Sequence, residues 1–199
     1  MEEIIKVNHQ RLPIIIGHNG ETKKLIEKRT QVALEIDSHT GEIVIVGQNN
    51  YYNVYNAKKV ITAISRGFSP ENAFNILKGD NTLEVMSIES FLGKNTNRIH
   101  QIKGRIIGRD GSIKNIIEKK YNCFLAVYGK TVAIIARSDY MGEIMEIIES
   151  LINGAKHTAV FKIIKRSKVR NTIGNVIVKD NVTEKIDDIS FKWFFLFFK

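Results

Sequence analysis

Cysteine and proline are scarce in this sequence of 199 residues. Cys123 is the only cysteine, so no disulfide can form within the chain, and its apolar neighbours favour a small buried residue over a reactive thiol. Pro13 and Pro70 are the only prolines, which leaves little room for a disordered linker of the usual composition. The hydrophobic fraction of 43% and the charged fraction of 26% are those of a folded protein, either one large domain or two of about 90 residues.

Membrane, secretion and enzyme signals are also missing. The sequence has no run of about 18 apolar residues and no signal peptide, so a cytoplasmic location without a membrane span is the default expectation. It lacks a P-loop and a Gly-x-Ser-x-Gly elbow, and its five histidines have no metal-ligand spacing with one another or with Cys123. Glu143, Glu146 and Glu149 have the spacing of an exposed helix face more than that of a catalytic pair. We therefore expect no catalysis, cofactor or metal, although a nuclease site of unrecognised type is an alternative that the sequence leaves open.

Positive charge is abundant, with a formal net charge of +9, but it is unevenly distributed. Residues 81–174 carry 16 Lys and Arg against 8 Asp and Glu, whereas residues 1–80 carry 10 against 9 and residues 175–199 carry four of each. The basic middle of the chain predicts an anionic partner. A well-solvated basic surface would produce the same composition, so the charge alone does not decide.

A 16-residue segment occurs twice in the chain, at an offset of 91 residues. The segment that begins at Pro13 aligns without a gap on the one that begins at Gly104. Eight positions are identical, and both glycines of a Gly-x-x-Gly sequence are among them. In the first copy the identical residues are Ile15, Ile16, Gly17, Gly20, Lys23, Ile26, Glu27 and Lys28. Such a match predicts two copies of one structural unit.

Apolar alternation around each segment predicts the same order in both units: strand, helix, Gly-x-x-Gly, helix, strand, strand, helix. This order indicates an α+β fold of two domains, each with three helices on one face of a three-stranded sheet. The domains span residues 1–80, which include a short linking helix near 69–79, and 81–174, followed by a tail at 175–199. The predicted strands are Glu3–Val7, Val32–Asp37 and Glu42–Val46, then Leu83–Ile88, Cys123–Tyr128 and Thr131–Ala136.

A Gly-x-x-Gly sequence between two helices can bring bare backbone to the surface, because glycine adopts conformations closed to other residues and has no side chain to block approach. The helix that follows presents its N–H groups and its positive dipole end to a phosphate. The apolar residues before the loop can form one wall of a groove for bases. The pattern is common by itself, but here it recurs in the same context of a repeated unit.

The run from Ile106 to Glu118 resembles the signature of the KH domain, and the order of elements resembles its type I form. Two such units in a basic chain resemble the archaeal members of the pre-ribosomal KH family, relatives of the eukaryotic partner of the Nob endonuclease. The resemblance covers roughly residues 1–170. It implies single-stranded RNA binding near the 3′ end of small-subunit rRNA. It also implies contact with the maturation endonuclease and with the alpha subunit of archaeal initiation factor two.

The loops and their neighbours are the expected RNA-binding residues. The second loop carries Arg109, whereas the first has His and Asn, which are largely neutral at pH 7. Because the charge is also concentrated in the second domain, we expect that domain to supply most of the affinity. The candidates in the second domain are Gly108, Arg109, Asp110, Gly111, Ile106, Ile107, Arg105, Lys103 and Lys114, and those in the first are Gly17, His18, Asn19, Gly20 and Lys23. A protein-binding adaptor with little RNA affinity is the alternative, and it stays open for the first domain.

Two C-terminal segments have several interpretations. The stretch Lys156–Arg170 has six Lys and Arg and no acid, which predicts either a solvated helix face or an arm that follows phosphates. It either extends the closing helix or begins a new one. Residues 191–199 hold five of the ten phenylalanines and the only tryptophan. They are too few to cross a membrane, and they could dock on the body, a partner or a membrane surface, stack on bases, or be an unselected extension.

Overall fold

The computed structural model describes residues 1–47, 50–93 and 96–166. Lys168, Arg170 and the aromatic tail at 191–199 lie outside the described residues, so the expectations about them stay predictions. In the first domain, three strands and three helices follow the predicted order. They are β1 (Glu2–Lys6), α1 (Leu12–Ile16), α2 (Glu21–Thr30), β2 (Val32–Asp37), β3 (Glu42–Gly47) and α3 (Tyr51–Ser65). The sheet is antiparallel with the order β1-β3-β2.

The second domain repeats this arrangement with two additions. A short helix α4 (Pro70–Ala73) and a 3-10 turn at Phe74–Leu77 lie between the domains, where a short linking helix was expected near 69–79. The antiparallel sheet has the order β4-β6-β5. Its elements are β4 (Asn81–Ser87), α5 (Ile88–Leu92), α6 (Thr96–Ile107), α7 (Ser112–Tyr121), β5 (Phe124–Tyr128), β6 (Thr131–Arg137), α8 (Ser138–Ile152) and α9 (His157–Arg166). The predicted α+β fold is confirmed, and α5 and α9 are additional to the three helices expected. None of the helices within the described ranges is long and apolar enough to span a membrane.

The two domains share apolar contacts through the second sheet. Val132, Ile134 and Ala136 of β6 belong to the core of the second domain. The intervening residues Ala133 and Ile135 belong instead to a second core cluster, whose other buried residues come mostly from the first domain. Since alternate residues of a strand point to opposite faces, β6 is buried on both faces, which explains its continuous apolar sequence.

Polar contacts reinforce this junction. The Arg11 guanidinium donates to the carbonyl oxygens of Ile64 (2.8 Å) and Phe68 (2.6 Å), and it lies 5.4 Å from the ring centroid of Tyr128. The Tyr128 hydroxyl donates to Oε1 of Gln10 at 3.0 Å. One residue of the second sheet therefore contacts the start of the helical part of the first domain, and the two domains meet through both apolar and polar groups.

Candidate nucleic-acid interface

The two Gly-x-x-Gly loops have the same backbone conformation. In each, the N–H of the first glycine makes the last bond of the preceding helix, at 2.8 Å, and the N–H of the second glycine donates to the carbonyl of the first at 3.3 Å. Positive φ angles occur at the first, third and fourth loop positions. They are 73°, 49° and 77° at Gly17, Asn19 and Gly20, and 77°, 52° and 76° at Gly108, Asp110 and Gly111. The repeat detected in the sequence is therefore a repeat of loop geometry.

The first glycine of each loop is required by space as well as by φ. A Cβ atom on Gly108 would lie 2.6 Å from Cγ1 and 2.8 Å from the backbone nitrogen of Ile113. The same atom on Gly17 would lie 2.7 Å from the backbone nitrogen of Thr22. The chain therefore passes too close to the first turn of the next helix for any side chain at this position. That close passage leaves the loop backbone beside the N-terminal end of α2 in one domain and of α7 in the other.

The backbone conformation at the third loop position explains why Asp110 and Asn19 occur there. Both residues are exposed and have left-handed backbone angles, a region that Asn and Asp enter more readily than other residues with a side chain. Asp110 stands in the predicted RNA-binding set, but its carboxylate is a poor phosphate ligand. Arg109, exposed beside it, is the loop side chain whose charge suits a phosphate.

Arg105 contacts protein carbonyls in the described structure. Its Nη2 donates to the carbonyl oxygens of Gly154 (2.9 Å) and Ala155 (2.6 Å), in the turn between α8 and α9. Nε2 of His157 lies 3.1 Å from the Arg105 carbonyl oxygen. The guanidinium thus stabilises the connection of α9 to α6. Its predicted role in RNA binding remains a prediction, and no sequence pattern indicates this contact between residues about 50 positions apart.

The identical Lys and Glu of the repeat make the same contacts in both domains. The Lys lies near the Glu carboxylate, which accepts a hydrogen bond from the next strand, and we call this arrangement the bracket. Lys114 Nζ lies 3.8 Å from Oε1 of Glu118, and that oxygen accepts a hydrogen bond from the N–H of Leu125 at 2.8 Å. Lys23, Glu27 and Leu34 repeat the arrangement, with distances of 3.9 and 2.8 Å. The bracket connects the helix after each loop to the adjacent edge strand. The conservation of this Lys and Glu between the two copies is the sequence signal that could have predicted it.

The apolar and basic neighbours of the second loop divide between core and surface. Ile106 is fully buried in the core, whereas Ile107, directly before the loop, is only partly buried. Lys103 is partly buried on α6, one turn before the loop. The structure therefore brings Ile107 and Arg109 to the loop itself and leaves Ile106 as a structural residue.

The basic segment forms a separate helix, α9, rather than an extension of α8. Val160 and Ile164 are buried against the second core, and Lys156, Lys162 and Lys165 are exposed. α9 packs against α7 and α8, so its exposed lysines lie on the domain that carries the Arg109 loop. Both earlier interpretations, a solvated face and a phosphate contact, fit this placement.

Other candidate chemistry is limited. Glu143 and Glu146 are exposed on α8 and Glu149 is partly buried, as the spacing predicted for a helix face. Cys123 is buried, and burial raises the pKa of its thiol to about 12, which confirms the prediction of a core residue. Among the residues that the structure describes, no group of three or more His, Cys, Asp and Glu is placed to hold a metal ion.

Comparisons with known proteins agree with the repeated geometry. Residues 82–169 match the family model of a eukaryotic-type KH domain (KH-domain type I), and residues 2–63 match the general KH-domain model. A KH domain-containing protein of Methanocaldococcus jannaschii is 36% identical over 169 residues, which are 83% of this chain and 74% of the relative. The pre-rRNA-processing protein PNO1 of Chaetomium thermophilum is 23% identical over 163 residues, 79% of this chain and 58% of that protein.

A solved structure shows a similar fold. A chain in the crystal structure of a complex of a/eIF2alpha, aDim2p and rRNA from Pyrococcus horikoshii is 37% identical, with a TM-score of 0.78. The similarity covers 83% of this chain and 93% of that chain. The similarity therefore extends over both domains of this chain.

Proposed function

Because the chain belongs to the KH-domain family, with a second domain of the PNO1 type, we propose that it binds single-stranded RNA in small-subunit rRNA maturation and ribosome biogenesis. KH domains grip about four nucleotides through their Gly-x-x-Gly loop, and they are binding modules rather than enzymes. The names of the relatives support the same process: one is a pre-rRNA-processing protein, and another is in a complex with rRNA.

The observation that carries the proposal is the second loop. Gly108 and Gly111 present bare backbone at the start of α7, a ten-residue helix with no acid in its first turn. N–H groups and the positive end of the helix dipole favour a phosphate there, and the exposed Arg109 adds a full charge beside it. The loop thus grips the RNA backbone, while bases lie against neighbouring apolar groups such as Ile107.

Partners follow from the same relatives. The rRNA complex that contains the similar chain also contains an initiation-factor alpha subunit, and we propose that this chain binds the corresponding subunit. We also propose contact with the endonuclease that cleaves the 3′ end of small-subunit rRNA, and that end as the RNA site. These assignments rest on family membership, whereas RNA binding rests on the loop geometry as well.

Replacement of Arg109 tests the proposal. Arg109→Asp creates a Gly-Asp-Asp-Gly loop and leaves both glycines in place, so the fold is expected to persist. Repulsion of phosphate is expected to weaken binding of a single-stranded RNA with the 3′ sequence of small-subunit rRNA by roughly 10-fold or more. Fluorescence anisotropy at fixed salt measures the affinity, and thermal unfolding checks the fold.

His18→Asp is the matched control, because it places an acid at the same position of the first loop. If the second domain supplies most of the affinity, this control loses much less binding than Arg109→Asp. Equal affinity of Arg109→Asp and the unchanged protein would exclude the loop as the clamp and favour the adaptor function.

A further inference from the structure

Three tyrosines at the start of α3 are exposed to solvent. The exposed fractions are 62% for Tyr51, 67% for Tyr52 and 40% for Tyr55. The buried face of α3 consists of other residues, among them Val54 and Ala57, so the core does not require these rings. Large rings grouped on a surface in this way mark a contact site more often than chance.

Two of these rings and one lysine form a column. Tyr51, Tyr55 and Lys59 are four residues apart and therefore share one face of the helix. The ring centroids of Tyr51 and Tyr55 are 6.2 Å apart, and the ring planes differ by 17°. The Lys59 ammonium lies 4.5 Å from the Tyr55 ring centroid. The column is thus closed by a cation at one end, and the more exposed Tyr51 is its open end.

A second positive charge lies beside the column. The Lys58 ammonium donates to a carboxylate oxygen of Glu3. This hydrogen bond raises the pKa of Lys58, and the neighbouring Tyr51 and Tyr55 contribute in the same direction. Lys58 is therefore protonated and its ammonium forms an ion pair with Glu3, so Lys59 is the cation that lies on the column.

The column lies at the far end of the helix that follows the first Gly-x-x-Gly loop. Nδ2 of Asn53 donates to Oε1 of Gln31 at 3.2 Å, and Gln31 directly follows the last residue of α2. The loop residue Gly20 directly precedes the first residue of that helix. With ten residues, α2 is about 15 Å long, so the column and the loop are separated by roughly this length.

We propose that Tyr51, supported by Tyr55 and Lys59, is a base-stacking site through which the first domain binds single-stranded RNA. This inference rests on the proposed function and assigns the first domain a contact with RNA that needs no arginine in its loop. Any base can stack on an aromatic face, and nearby cations hold the adjoining phosphates. A protein hot spot instead centres on a ring in a desolvated pocket, whereas these rings stand on an exposed helix with the Lys59 ammonium over one of them.

The test compares four variants of the full chain: Tyr51→Ala, Tyr51→Phe, Tyr52→Ala and Arg109→Asp. Tyr51→Phe keeps the ring, and Tyr52→Ala removes an equally exposed ring outside the column. For a single-stranded RNA of about 15 nucleotides, long enough to reach beyond one four-nucleotide KH groove, Tyr51→Ala is expected to weaken binding roughly 5- to 100-fold. Tyr51→Phe and Tyr52→Ala are expected to bind nearly as the unchanged protein does, and circular dichroism checks the folding of each variant.

The outcomes separate the two proposals. Unchanged affinity of Tyr51→Ala, together with weak binding by Arg109→Asp, overturns the stacking site and leaves the proposed function intact. Weak binding by Tyr51→Ala with unchanged binding by Arg109→Asp supports the stacking site and overturns the loop as clamp. Equal losses in Tyr51→Ala and Tyr52→Ala overturn the specific role of the column. Unchanged RNA affinity with lost binding to the initiation-factor subunit identifies a protein-binding surface instead, and no RNA binding by the unchanged protein overturns both proposals.

Discussion

The first and second KH domains have the same loop backbone and different side chains on it. φ angles at equivalent glycines agree within a few degrees, and the Lys–Glu–strand bracket occurs in both. Yet one loop carries His18 and Asn19, and the other carries Arg109 and Asp110. The conformation of a Gly-x-x-Gly loop is therefore set by its glycines and by the residue in the left-handed third position. Its chemistry is set by the side chains at the second and third positions, both of which differ between the copies.

Removal of the first glycine is expected to have the largest effect. Gly108→Ala adds a Cβ atom 2.8 Å from the backbone nitrogen of Ile113 at a φ of 77°, which combines overpacking with left-handed strain. We expect the free energy of unfolding to fall by about 3 kcal/mol and RNA binding to be largely lost. Denaturant titration and anisotropy measure the two quantities.

Two further glycines sharpen this prediction. Gly111→Ala has nearly the same φ but its nearest neighbour would be 3.5 Å away, so we expect a loss of only about 1 kcal/mol. Gly17→Ala meets backbone at 2.7 Å and should destabilise the fold as Gly108→Ala does, with much less effect on RNA affinity. Equal RNA losses for the two first-position variants would contradict the division of roles between the loops.

Arg105 is the next position at which the domains differ. Its equivalent in the first domain is Ile14, which packs against the first core. Arg105→Met removes two hydrogen bonds from a charged donor to the turn before α9, and we expect a loss of about 2 kcal/mol in unfolding free energy. Ile14→Met is the matched control and should lose less than about 1.5 kcal/mol. A stable Arg105→Met variant with weak RNA binding would show instead that the guanidinium acts on RNA.

Lys162 of α9 and Lys156, which directly precedes α9, should change the salt dependence of binding more than the affinity at one salt concentration. Each phosphate contact to a single strand contributes about 0.7 to the slope of log K against log salt concentration, so Lys156→Gln with Lys162→Gln should lower the slope by about 1.4. Lys24→Gln with Lys28→Gln, two exposed lysines of α2, should lower it less. Equal slopes for both double variants would indicate that the exposed lysines of this segment are solvated and do not contact phosphates.

The sequence predicted the features that depend on the repeated segment and on the alternation of apolar residues. Eight identities at one offset located both loops, and apolar alternation placed the strands of both sheets within one or two residues. The same patterns could not reveal contacts between distant positions, such as Arg105 with the turn before α9 or Arg11 with Tyr128. A basic side chain that the sequence suggests for RNA binding can also donate hydrogen bonds to backbone carbonyl oxygens. Only the folded structure shows which carbonyl groups lie within its reach.

The tyrosine column could be predicted only in part from the sequence. The sequence contains three tyrosines within five residues, but the apolar residues that predict a helix there are those of its buried face. Those residues predict the side of the helix that packs on the core and say nothing about the role of the opposite side. Their exposure, the stacking of two of them and the position of Lys59 above a ring are properties of the helix in place.

The smallest expected effect concerns the two hairpin turns and is specific to the first domain. The Asp37 carboxylate accepts hydrogen bonds from the backbone N–H groups of His39 (2.8 Å) and Thr40 (3.4 Å). The bond from His39, followed by one from the Thr40 hydroxyl, lowers the pKa of Asp37. Gly129 at a φ of 56° makes the corresponding turn of the second domain, without an acid.

Since the folded pKa of Asp37 lies below the unfolded value of about 3.9, the stabilisation is present above that value and is lost as pH falls through the folded pKa. Asp37→Asn should therefore remove a small part of the acid sensitivity of unfolding. A carbon-detected NMR titration of the Asp37 carboxyl should show a midpoint below the ordinary Asp value. A midpoint at or above that value would mean that the turn does not hold its carboxylate in solution, and the two turns would then differ in sequence but not in their response to acid.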